Sequence, residues 1–218
     1  METILGLCIG IGLSAACGFR VFVPLLVMSL ASILGWFEPM QGFEWLTMPS
    51  VCIALAIATV CEITAYYIPW VDNALDTIAT PAAMVAGTLT TMAVSSGEMS
   101  QFASWAAAII VGGGTAGAVQ MSTVAVRGVS TATTGGVANP LVSTVEWIGA
   151  VLLSVLSLLV PVLVVVVGII LAIWAVRWFK RKNKKVSAHL YSFSSFLMVL
   201  LGLEVLKIEW LIFQLYEH

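Results

Sequence analysis

Apolar residues run through this chain in long stretches separated by short polar ones. Seven such segments are predicted, at about 3–33, 51–69, 73–96, 102–126, 140–157, 159–178 and 188–213. Within each, apolar residues fall on every side of the chain. A membrane strand would alternate over about ten residues, so the pattern predicts helices that are buried or spanning all round. One crossing takes about 20 apolar residues. The first segment is too long for a straight span, so it is tilted, partly interfacial, or broken near Pro24. The block from Pro140 to Trp178 is about twice one span. Its expected break lies at Pro161, with Ser154 and Ser157 just before it.

Composition supports a lipid setting. Hydrophobic residues make up 61% of the 218 and charged residues 9%, against about 25% charge in soluble domains. The expected class is an all-α integral membrane protein with about seven transmembrane helices, some broken or re-entrant, forming a single domain over 1–218. A net charge of −2 without an extended basic stripe points to no nucleic-acid partner. The N-terminal residues lack the basic region of a cleaved signal. Ser14-Ala-Ala-Cys17 has its leucine one place too early for a lipoprotein site. Cys8, Cys17, Cys52 and Cys61 lie inside apolar runs without zinc-ligand spacing, so packing is their expected role. No metal and no cofactor is expected.

Basic residues next to the spans set orientation. Arg177, Lys180, Arg181, Lys182, Lys184 and Lys185 cluster between the last two segments, which places that loop in the cytoplasm. Counting back puts 69–73 and 127–140 inside, with 34–50, 97–101 and the C-terminus outside and the N-terminus cytoplasmic. The two outer loops hold Glu38, Glu44 and Glu98 but no lysine or arginine. Several tryptophans, among them Trp36, Trp45, Trp70 and Trp105, fall near segment ends, where the ring anchors an interface. The basic run would also attract anionic lipid head groups, and membrane lipids are expected partners.

The seven segments allow a three-plus-three inverted repeat with halves 1–98 and 99–178 and an extra helix at 188–213. Thr59-Val-Cys-Glu62 and Thr144-Val-Glu146 occupy similar places in the two halves. Secondary transporters built this way bind substrate at the repeat interface.

Arg20 and Arg127 sit in or beside apolar runs, as do Glu62 and Glu146. An ionisable group at membrane depth costs about 2.5–3.5 kcal/mol on insertion scales, so something must offset it. In one reading Arg20 pairs with Glu62 and Arg127 with Glu146, as ion pairs that only hold helices together. In the other the arginines receive an anion, and Glu62 or Glu146 takes up a proton as the coupling site. Asp72, Asn73 and Asp76 open the third segment. One of them is expected as a helix cap, while the two aspartates could also line a proton or cation access.

The stretch from Gly128 to Asn139 is too polar for lipid. It reads as a cytoplasmic loop or as an anion-binding nest offering Ser130, Thr131, Thr133, Thr134 and Asn139. No Walker-type lysine follows. Gly112 to Gly117 allows either close helix packing or the unwound point of a discontinuous helix. Gln120, Ser122 and Thr123 continue a polar face toward Arg127. Glu204 and Lys207 form an expected local pair.

Three elements together, Gly18-Phe-Arg20-Val-Phe-Val-Pro24, the Glu62–Pro81 stretch with Pro69-Trp-Val-Asp72, and the Gly112–Pro140 block, resemble a bacterial family of small multi-pass inner-membrane proteins. That family is classed as a domain of unknown function. The resemblance covers most of residues 3–165 and implies a location, the bacterial inner membrane, without an activity. More loosely, the chain is similar to small inverted-repeat families, some of which move polyprenyl-phosphate lipids, although their signature acidic and arginine motifs are not reproduced. The expected function is transport of a small anionic or phosphate-bearing substrate, or translocation of a lipid carrier, with proton coupling. The alternative is a non-transporting scaffold or accessory subunit. An enzyme ranks lowest, because the spans hold no histidine and no serine with a plausible base. The many small residues make a homo-oligomer compatible with the sequence.

Overall fold

A computed structural model describes residues 2–95 and 97–182, the side chains of Glu2, Pro69, Trp70, Asp72, Asn73 and 178–182 aside. The expected segment at 188–213, the Glu204–Lys207 pair and the C-terminus lie outside the described residues. Among the described residues every regular element is helical. These are α1 (Glu2–Phe19), α2 (Phe22–Ile33), a 3₁₀ turn (Glu44–Thr47), α3 (Pro49–Ala65), α4 (Pro69–Ala93), α5 (Gln101–Ala107), a π-helical stretch (Ala108–Gly113), α6 (Gly114–Thr134), α7 (Asn139–Leu159) and α8 (Pro161–Lys182).

The first apolar segment is two helices rather than one, and Pro24 explains where they part. A helix continuing through Pro24 would lose its hydrogen bond to the Arg20 carbonyl and press the ring against it. The chain turns earlier, at Arg20–Val21, so Pro24 falls in the first turn of α2, where a missing N–H is tolerated. α1 and α2 then fold back on each other. Cys17 and Leu25 share one apolar cluster near the turn, and Leu13 and Met28 share another farther from it.

The far ends of this hairpin emerge together. Thr3 hydrogen-bonds to Glu98, and the Met40 N–H donates to the Ala93 carbonyl at 2.8 Å. The N-terminus therefore lies at the same end of the bundle as 34–50 and 97–101. This corrects the expectation that 3–33 crosses once and leaves the N-terminus opposite those loops.

α1 sits at the centre, against α4, α6 and α7, and its glycines allow the close approach. A Cβ at Gly18 would run into Val119 and the Ala116 carbonyl. Gly87 and Gly112 bring α4 and the π-helical stretch backbone to backbone: a Cβ at Gly87 would lie 2.7 Å from the Gly112 carbonyl. The glycine run thus serves packing, and the helix there widens to π winding instead of unwinding.

Two of the helices turn polar residues inward and apolar residues outward. α7 buries Asn139, Ser143, Glu146, Ala150, Ser154 and Ser157 and exposes Leu141, Val145, Ile148, Leu152 and Leu159. α6 buries Gln120, Thr123 and Arg127 and exposes Met121, Val126 and Val129. By length and composition two helices could cross a membrane, the continuous stretch Gln101–Thr134 and Asn139–Leu159. α7 gives way to α8 at Pro161, as expected. α8 continues into a second unit that begins at Val167 and is apolar as far as Val176.

Candidate functional site

The charged residues of five helices converge at the end of the bundle where α1 turns into α2. α1 delivers Arg20, whose N–H still bonds the Ala16 carbonyl at 3.0 Å. α3 delivers Glu62 and, just past its end, Tyr66. α4 contributes Asp76, α6 Arg127 and α7 Ser143 and Glu146. Both guanidiniums are almost completely buried, 1% exposed for Arg20 and 2% for Arg127.

The two arginines are held differently. Arg127 is closed on all sides: Nε donates to Glu146 Oε1 at 3.2 Å, Nη2 pairs with Glu146 Oε2, and Nη1 meets Asp76 Oδ1 at 2.8 Å. Arg20 works through one nitrogen. Its Nη2 lies 2.9 Å from Glu146 Oε2 and donates to Ser143 Oγ at 2.6 Å and to the Ser143 carbonyl at 3.3 Å. Nε and Nη1 are buried with no hydrogen-bond partner, which leaves three N–H groups without an acceptor. Tyr66 lies between these roles. Its ring centroid is 3.9 Å from the Arg20 guanidinium carbon and 4.1 Å from that of Arg127, so its π face offsets part of the cost of burying both cations.

Glu62 does not pair with Arg20, which corrects the sequence-based pairing. Its two oxygens accept the N–H groups of Val21 at 2.8 Å and Phe22 at 3.1 Å. Those amides open α2, where a helix has unpaired donors and the positive end of its dipole. Glu146, expected to serve Arg127 alone, serves both arginines. Asp76 is not a cap. α4 begins seven residues earlier, at Pro69, and Asp76 is an ion-pair partner of Arg127. Asp72 falls in the same opening turns, and its side chain lies outside those described.

The polar stretch after Arg127 is mostly helix, against the expectation of a loop. α6 runs to Thr134, and only 135–138 turn. Thr133 and Thr134 donate to carbonyls of their own helix, at Val129 and Ser130. Gly135, in the left-handed region at φ 64°, ends the helix as glycine commonly does. Its N–H bonds the Thr131 carbonyl, and those of Val137 and Asn139 bond neighbouring carbonyls. Asn139 Nδ2 donates to Thr131 Oγ1 at 3.1 Å. These amides close a turn and do not form an open nest. The Ser130 hydroxyl is buried without a partner.

Tyr66 and Ser143 are the site residues that sequence reasoning missed. A spacing signal existed for both, since Tyr66 is four residues after Glu62 and Ser143 three before Glu146, helical neighbours in each case.

A family described as a domain of unknown function (DUF4126) matches residues 7–181. The chain belongs to that family. The match spans every residue of the ion network, from Arg20 to Glu146. The family description carries no activity, so any function has to be argued from the network itself. No curated protein and no solved structure matches the chain.

Proposed function

We infer that this protein is an integral membrane protein that binds and moves a small anionic or phosphate-bearing solute, or a lipid head group of that chemistry, together with a proton. The lipid setting is supported by the inverted faces of α6 and α7, which bury their polar residues and turn leucine, isoleucine and valine outward. Such outward faces are stable against lipid tails and costly against water. The basic run at 177–185 then marks the cytoplasmic side of an inner membrane.

The observation that carries the transport reading is the pair of unpartnered nitrogens on Arg20. A buried donor without an acceptor costs about 1–3 kcal/mol, and an anion arriving at Nε and Nη1 removes that cost. Charge balance ties the anion to a proton. Among the described side chains two guanidiniums face three carboxylates, Glu62, Asp76 and Glu146, which leaves one negative charge in excess when all are ionised. One proton on a carboxylate neutralises it, after which an added anion restores the charge the empty network had. Glu62 is the carboxylate we assign to that proton, because its charge is met by backbone amides while those of Asp76 and Glu146 are met by guanidiniums.

Uptake of inorganic phosphate into proteoliposomes tests this reading. Arg20→Lys keeps the charge facing Glu146 but removes Nε and Nη1, and it is expected to fold and lose uptake. Uptake at the wild-type rate by a folded Arg20→Lys variant would overturn it. A second reading draws on the full closure of Arg127 by Asp76 and Glu146. In it the network only ties helices together within a membrane scaffold or accessory subunit. Arg20 variants would then lower stability, and the wild type would neither bind nor move phosphate.

A further inference from the structure

A second polar feature runs from the far end of the bundle toward the ion network. Ser14 on α1 and Thr91 on α4 share a hydrogen bond of 2.8 Å between hydroxyls. Ser14 also lies 3.5 Å from the Thr90 hydroxyl, and Thr90 Oγ1 lies 3.8 Å from the Cys17 thiol. All four side chains are buried. Cys17 precedes Arg20 by three residues, so the two occupy adjacent places on one helix face. In the other direction Thr91 lines a small cavity of about 10 Å³ together with Thr3, Ser95 and Ser104. That is about the room one water molecule needs, and hydroxyl-bearing residues supply its polar partners. Thr3, which lines the cavity, also hydrogen-bonds to the carboxylate of Glu98. Ser95 and Ser104, both lining it, are joined by a hydrogen bond of 3.4 Å between hydroxyls.

We propose that this file is the proton path of the transporter: Glu98, Thr3, a water in the cavity, Thr91, Ser14, Thr90 and Cys17, ending at the Arg20–Glu62 end of the bundle. The inference rests on the proton-coupled reading above and adds the route and the side from which protons come. Each hydroxyl accepts one proton and passes on its own, so nothing is consumed and the chain returns to its starting state after reorientation. The last step, from Cys17 to Arg20, covers one helical turn. Helix joining alone accounts for less of this arrangement. Hydroxyls that only join helices need one acceptor each, and the Gly87 carbonyl already accepts from Ser14 at 2.8 Å and from Thr90 at 3.0 Å. Interhelical bonding does not call for the additional hydroxyl-to-hydroxyl contacts or for a cavity that Thr91 shares with Thr3, Ser95 and Ser104. The far end also suits proton capture, because the loops there carry Glu38, Glu44 and Glu98 without a basic residue.

The test uses the full-length protein in liposomes loaded with a pH-sensitive dye, with inorganic phosphate outside and the outer medium more acidic than the lumen. Wild type is expected to acidify the lumen faster than protein-free vesicles. Thr91→Val and Ser14→Ala are expected to slow this about tenfold, the scale of losing one hydrogen-bonded link, and Thr91→Ser to restore it. Thr88→Val serves as the control, since that hydroxyl lies outside the file and bonds the Met84 carbonyl of its own helix. A wild type that passes no protons, or a folded Thr91→Val that passes them at the wild-type rate, overturns the path. Phosphate binding that depends on Arg20 is measured separately. Loss of proton flux with binding retained supports both ideas, and flux without any binding supports the path while rejecting the anion.

Discussion

The carboxylate of Glu62 holds the N–H of Val21 at 2.8 Å. One residue of α3 therefore closes the open end of α2, forty-one residues earlier in sequence. The same carboxylate takes the Phe22 N–H at 3.1 Å, so the start of α2 depends on its charge. Protonation would weaken both bonds together. Under the proposed proton coupling, the turn at Arg20–Val21 would respond to protonation of Glu62, and Arg20 itself lies in that turn.

Replacing Glu62 tests this coupling. In Glu62→Gln one carbonyl oxygen remains to accept one amide, and the charge that strengthened both bonds is gone. The expected cost is about 1–3 kcal/mol, the range for hydrogen bonds to a charged group. Hydrogen exchange should localise it, with amides at 21–26 exchanging faster and those of α6 and α7 unchanged. Uniform acceleration across the bundle would mean that Glu62 supports the whole fold and not the hinge.

Glu146 should matter more than Asp76, although both are carboxylates on Arg127. Glu146→Gln leaves two buried guanidiniums without their shared partner, and breaking a buried pair in this way costs about 3–5 kcal/mol. Asp76→Asn leaves Arg127 bonded twice to Glu146 and is expected to cost about 1.5–3 kcal/mol. Denaturation in detergent micelles, with both variants measured side by side, checks the order. The reverse order would show that Asp76 anchors the network.

Tyr66 contributes a ring face to two cations as well as a hydroxyl beside Arg127, and the ring contacts should carry the larger part of its effect. Tyr66→Phe is expected to stay within about 1 kcal/mol of wild type, whereas Tyr66→Leu should lose about 1–2 kcal/mol for the two cation–π contacts. Equal losses in the two variants would point to the hydroxyl instead.

What the sequence made legible, and what it hid, divides along physical lines. Charges inside apolar runs stand out because each must be compensated, so Arg20, Arg127, Glu62 and Glu146 were identifiable one by one. Their pairing was not, because it depends on the chain reversing at Arg20 and laying α1 along α7, which carries Ser143 and Glu146 to Arg20. Pro24 signalled a break in the first segment, yet reading that segment as one span misplaced the N-terminus. The polar run after Arg127 looked like a loop by composition. It continues as helix to Thr134, with the hydroxyls of Thr133 and Thr134 accommodated on carbonyls one turn back, and Gly135 ends it.

The packing of α1, α4 and α6 leads to a final expectation, in which glycines of one bundle respond in opposite directions. At Gly112 a new Cβ would meet the Gly87 carbonyl and the Thr91 hydroxyl, and at Gly87 it would meet the Gly112 carbonyl and the Ala116 side chain. Backbone cannot yield there without separating α4 from the π-helical stretch, so Gly112→Ala and Gly87→Ala should each cost about 1–3 kcal/mol through overpacking. Gly149, within α7, has nothing within 4 Å of where its Cβ would be. Gly149→Ala should therefore stabilise by about 0.5–1 kcal/mol, because glycine gives up more backbone freedom on entering a helix. The same substitution thus separates tight contact from intrinsic helix preference. Thermal stability of the three variants in one detergent decides the matter, and a stabilising Gly87→Ala would show that α4 and the π-helical stretch are not held backbone to backbone.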